Sequence, residues 1–165
     1  MKGDPKVIQY LNTALINELA AINQYFVHAR MLDHWGVTKL GRLEYKECVE
    51  ETHHADWLVK RILFLEGVPN LQELNKLLVG ENVGEILRCD LKLEDKAIAD
   101  LREAIAHCEG VRDFPSRDLF AKILAGEEHH VDFMETQFDL IVRIGLKNSI
   151  QLNSAAADGG DGGGR

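Results

Sequence analysis

The stretch EETHHADWLVKRILFLEG, residues 50–67, decides the fold. Leu58, Ile62 and Leu65 recur at helical spacing, and the same face carried back by one and two turns reaches His54 and Glu51. The other Glu-x-x-His register, Glu50 with His53, falls instead beside Trp57, Lys60 and Arg61. The stretch therefore reads as an amphipathic helix with an acid and an imidazole set into its apolar stripe. EEHH at 127–130 repeats the arrangement. Glu127 and His130 align with Phe120, Ile123, Met134, Phe138 and Ile141, whereas Glu128 and His129 lie off that stripe. A carboxylate on a buried face is costly unless it is neutralised, paired or bound to a metal.

Working outward, helical periodicity covers nearly the whole chain. It predicts helices over about 4–35, 38–66, 83–109 and 114–144, with a short piece, LKNSIQL, at 146–152. Asp4-Pro5 reads as a cap followed by a first-turn proline, and Gly36, Gly67 and Gly145 as stops. Residues 67–82 are too long for a tight turn between helices and suit a crossover from one end of a bundle to the other. The fold class is all-α: two helical hairpins, a long crossover and a short fifth helix, in one domain over 1–152. The Gly-rich remainder, 153–165, is expected to be disordered.

Composition narrows the functional classes. The chain has 165 residues, 45% of them hydrophobic, and a formal net charge of −8. That balance argues against nucleic acid as a main partner and favours attraction of cations. No apolar run is long enough for a membrane span and no signal peptide is visible, so a cytoplasmic location is expected. Cys48, Cys89 and Cys108 form no paired motif and read as reduced thiols in or near the core.

Two more acids interrupt apolar stripes. Glu18 sits among Leu11, Leu15, Ile22 and Tyr25, and Glu94 among Leu87, Leu91, Ile98 and Leu101. Glu18 precedes Glu51 by 33 residues, and Glu94 precedes Glu127 by the same 33. An isolated Glu-x-x-His means little, but four core acids and two histidines repeated in both halves point to one site. Four carboxylates with two imidazoles is the ligand set of di-iron and di-manganese carboxylate bundles, and hard oxygen donors with imidazole suit iron or manganese. Glu51 and Glu127 are placed to bridge two ions, with Glu18 and Glu94 as terminal ligands and His54 and His130 holding one ion each. Tyr25 is either a neighbour of the site or an ordinary core tyrosine.

With these residues in place, the sequence resembles the bacterioferritins. The resemblance covers residues 1 to about 152 and rests on MKGDPKVIQYLN, NELAAINQYFVHARM, Glu51-x-x-His54-Ala-Asp, RILFLEGVPNL, SRDLF and Glu127-x-x-His130. It implies a ferritin-like four-helix bundle. It also implies a shell of 24 subunits that oxidises Fe(II) with dioxygen or peroxide at a di-iron site within each subunit and stores ferric mineral. LKNSIQL would then line the four-fold axis. The family binds haem b between subunits through one methionine from each, and a small ferredoxin docks there to deliver electrons. Here Thr52 stands where the haem methionine is expected, so a homo-oligomer should bind little haem. Neither His53 nor Met31 is placed to substitute for it near the expected haem contacts Leu19, Ile22, Asn23 and Phe26. Lys46 and Glu50 occupy the positions of an extra inner-wall iron site, which makes that site doubtful. An alternative is a haem-free partner subunit in a mixed shell with a methionine-bearing paralogue. A rubrerythrin-like peroxidase is disfavoured by the absence of CxxC pairs.

Overall fold

The computed structural model describes residues 1–154. Helix α1 spans Pro5–His34, α2 Thr38–Phe64, α3 Val83–Val111, α4 Phe114–Ile144 and α5 Leu146–Leu152. Each start has a local cause. The Asp4 carboxylate accepts from the backbone N–H of Lys6 and Val7, and Asn82 accepts from Glu85. Asp113 accepts from Ser116, just behind a first-turn proline. Gly36 and Gly145 take positive φ between helices, where a side chain would be strained.

Helix α1 packs along α2 and α3 along α4, and the two hairpins meet chiefly where α1 lies against α3. This is a four-helix bundle of two hairpins with a short C-terminal helix. One end is closed by Val7, Leu11, Leu15, Leu58, Ile62 and Phe120. The other end is closed by Leu32, Leu40, Val83, Ile86, Leu87 and Met134. Between these apolar plugs lies a buried polar middle.

The crossover carries no helix of its own and is pinned to side chains of α1. Asn12 binds the Val68 carbonyl and the Asn70 N–H, and the Asn17 carbonyl accepts from Asn75. Gln24 accepts from the Leu78 N–H and His28 from the Gly80 N–H. At the far end, the Asn153 carbonyl accepts from the N–H groups of Lys39 and Leu40, which ties the end of α5 to the start of α2. The part of the expected tail from 155 onward lies outside the described residues. Among the described residues, no helix is long and apolar enough to cross a membrane. All three cysteines are free, with Cys48 and Cys108 buried.

Candidate metal centre

All six residues singled out on the helix stripes converge in the polar middle: Glu18 from α1, Glu51 and His54 from α2, Glu94 from α3, Glu127 and His130 from α4. Each is at most 3% exposed, so water does not solvate their charges. His53 and His129, the outward members of each doubled motif, are exposed.

The distances define two overlapping groups. His54 Nδ1 lies 3.0 Å from Glu51 Oε2, 3.3 Å from Glu127 Oε1 and 3.4 Å from Glu18 Oε2. His130 Nδ1 lies 3.2 Å from Glu51 Oε1, 3.2 Å from Glu127 Oε2 and 3.4 Å from Glu94 Oε1. Glu51 and Glu127 thus offer one oxygen to each half, while Glu18 and Glu94 each serve a single half.

Each imidazole nitrogen carries at most one proton, so it cannot satisfy three carboxylate oxygens. Glu18 Oε2, Glu51 Oε1 and both Glu127 oxygens are accordingly buried without a hydrogen-bond partner. Proton affinities follow from the crowding. Burial, then the charge of Glu51, holds Glu18 well above the usual carboxylate range, and burial, then Glu127, does the same to Glu94. Burial also acts to raise Glu51, but hydrogen bonds with Glu18, His130 and His54 outweigh it and hold Glu51 low. Glu127 is lowered in the same way through His130, His54 and Glu94. Burial disfavours charge on His54, yet the carboxylates of Glu127, Glu18 and Glu51 beside it push it up to about 12; His130 is raised in the same way by Glu127, Glu47, Glu51 and Glu94.

Around the six, Tyr25 donates its phenol proton to Glu94 Oε1, which makes it a neighbour of the centre rather than plain core. The Trp57 ring lies 5.4 Å from the His54 ring. Gly126 leaves room beside His54, where a Cβ would come within 3.3 Å of Cε1. The stripe reading missed Glu47, whose carboxylate contacts His130 Nε2, and Glu44, also buried. Both were findable, because the α2 face continues back from Glu51 by four residues to Glu47 and by seven to Glu44.

A ferritin-like domain model matches residues 8–144. The bacterioferritin of Brucella melitensis is 51% identical over 158 residues, 96% of this chain and 98% of that protein. The chain belongs to the bacterioferritin family. The bacterioferritin of Rhodobacter capsulatus is 48% identical over the same shares of both chains. A bacterial ferritin of Pseudomonas aeruginosa is 48% identical over 92% of this chain and 98% of its own. The span matched by the domain model, 8–144, takes in all six residues of the buried polar middle.

Proposed function

We propose that this chain is an iron-storage subunit and a ferroxidase, with Glu18, Glu51, His54, Glu94, Glu127 and His130 holding two Fe(II) ions as substrate. The observation that carries the reading is the shared position of Glu51 and Glu127, each presenting one oxygen to either imidazole. Unpartnered buried oxygens suit the donor set to cations, because an ion supplies the positive charge that the surrounding N–H groups cannot. Glu51 and Glu127 then bridge, Glu18 and Glu94 complete each half, and the two imidazoles enter as neutral ligands after losing their protons. Bound iron supplies one-electron chemistry toward dioxygen or peroxide. Tyr25 orients Glu94 through its hydroxyl.

Glu51→Ala and His130→Ala should each slow the initial rate of Fe(II) oxidation by about tenfold or more while leaving helical content unchanged. An unchanged rate in both variants contradicts the reading.

A second reading, a haem-free subunit of a mixed shell, is supported by Thr52. Its hydroxyl donates to the Cys48 carbonyl at 3.0 Å and is tied back to its own helix. A threonine hydroxyl is in any case a poor axial ligand compared with a thioether. The chain expressed alone with haem supplied should give little haem spectrum, and Thr52→Met should raise haem content. Stoichiometric low-spin bis-methionine haem in the unmodified chain would exclude this reading. A ferredoxin partner and a cytoplasmic location belong to the same family-based proposal.

A further inference from the structure

Beside the metal centre, on the side of the crossover, lies a second set of buried polar groups. It comprises Gln24 and His28 from α1, Glu44 from α2 and Asp90 from α3. Asp90 Oδ1 accepts from Gln24 Nε2 at 2.8 Å and lies 2.9 Å from His28 Nδ1. His28 Nε2 accepts from the Gly80 N–H at 3.0 Å, so the imidazole proton sits on Nδ1 and is donated to Asp90. Both nitrogens of His28 are thereby used. Asp90 Oδ2 and Glu44 Oε2 remain, both buried and without a hydrogen-bond partner. Ligating atoms of His28, Glu44 and Asp90 all lie within 4.8 Å of one another.

Either a cation or a proton can reconcile two such oxygens. A cation would have only carboxylate oxygens, because His28 has no free lone pair, and a dry divalent ion needs more ligands than that. A proton needs nothing further: Glu44 as a neutral acid donates O–H to Asp90 Oδ2. The donor count also says which acid carries it. Asp90 already accepts two N–H bonds at Oδ1, and Glu44 accepts none. Burial, then the charge of Asp90, moves Glu44 the same way.

Glu44 also faces the metal centre. With Tyr25, Glu47 and His130 it lines a cavity of about 10 Å³, at the lower limit for one water molecule. We propose that Glu44 is a proton-holding residue for the metal centre, keeping one proton against Asp90 and releasing it when divalent cations load the six-residue site. The proposal rests on the metal-binding reading above. The Glu44 O–H bond breaks, its electron pair stays on the carboxylate, and the proton passes through the cavity and past half-buried Glu47 to solvent. Incoming cation charge offsets the negative charge left behind. The titratable groups facing Glu44 are Tyr25 and His28 on α1, Glu47 on α2, Asp90 and Glu94 on α3, and His130 on α4. The crossover contributes the backbone N–H of Gly80.

The test uses Zn(II), which is redox-inert. Ions bound and protons released are counted together in weakly buffered solution for the full chain, Glu44→Gln and Asp90→Asn. Infrared spectra of the metal-free proteins record the C=O stretch of a buried neutral carboxyl. Buried Glu18 and Glu94 contribute to the same region, so Glu44→Gln should lose one component of that band, bind the same number of ions and release about one proton fewer per subunit. Asp90→Asn offers Glu44 an amide donor in place of an acid, so the same component of the band should disappear. Equal ion and proton counts in full chain and Glu44→Gln overturn the inference while leaving the metal-binding reading intact. A carboxyl band of unchanged intensity in Glu44→Gln also overturns it. Failure of the full chain to bind Zn(II) sinks the metal-binding reading and the inference together.

Discussion

His54 and His130 are held as imidazolium by the carboxylates that would be co-ligands, and this sets two opposite pH trends. In the metal-free protein their proton affinity is raised, to about 12 for His54. Their contribution to stability is therefore full below the unfolded histidine pKa and is lost as pH rises through the folded value. Glu18 and Glu94, also raised, lose their contribution in the same direction, whereas Glu51 and Glu127, lowered, lose theirs only in acid. The metal-free protein should thus melt at progressively lower temperature from neutral toward alkaline pH, as followed by circular dichroism. Cation binding must displace those protons, so Zn(II) affinity should instead strengthen with pH, by about tenfold per unit for each proton displaced. Competition titration at several pH values checks this, and a pH-independent affinity would argue against displacement. Tyr25→Phe removes the donor to buried Glu94 and should lower metal-free stability by about 1–3 kcal/mol in denaturant titration. The six central residues were legible in sequence because a repeated Glu-x-x-His on an apolar stripe and a repeated 33-residue offset constrain each other. Asp90 lies one turn before Glu94 on the same stripe, but no single-helix pattern could show that its partners are Gln24 and His28 on α1 and Glu44 on α2.

At the scale of elements, side chains that cap a helix write its start into the local sequence, so Pro5, Val83 and Phe114 open their helices close to where sequence placed them. The end of α3 was less legible: it runs to Val111, and Arg112 takes a left-handed conformation with no glycine to announce it. The crossover was legible as non-helical, but its path was not, because polar residues on α1 do not declare which distant backbone they hold. Gly80 is the tightest point of that path. A Cβ there would come within 2.4 Å of the Ile86 backbone nitrogen, which cannot rotate away. Gly80→Ala should therefore cost about 1–3 kcal/mol, measured by chemical denaturation, and loosen the junction between crossover and α3. A variant as stable as the parent would mean that this junction yields more easily than its packing suggests.

For the whole molecule, the surface is as informative as the core. Phe26, Tyr45 and Val49 are exposed on α1 and α2, and Arg30 stacks over both Phe26 and Tyr45. Apolar groups gathered on one face mark a contact surface. The family-based expectation is a shell of 24 subunits. Native mass spectrometry at micromolar concentration and neutral pH should find that assembly, and a monomer or dimer throughout would contradict it. The crossover has a consequence for anyone who re-engineers the chain. Asn12, Asn17, Gln24 and His28 act as successive pegs on a ruler, and residues 68–80 are laced across them in fixed register. A flexible linker of equal length would keep the backbone groups that Asn12, Gln24 and His28 hold and would lose the Asn75 side chain from the Asn17 peg. Lengthening should be harmless only between Asn70 and Asn75, where slack can bulge into solvent without shifting either neighbouring peg. The same insertion between Leu78 and Gly80 would pull the lacing out of step at the Gln24 and His28 pegs.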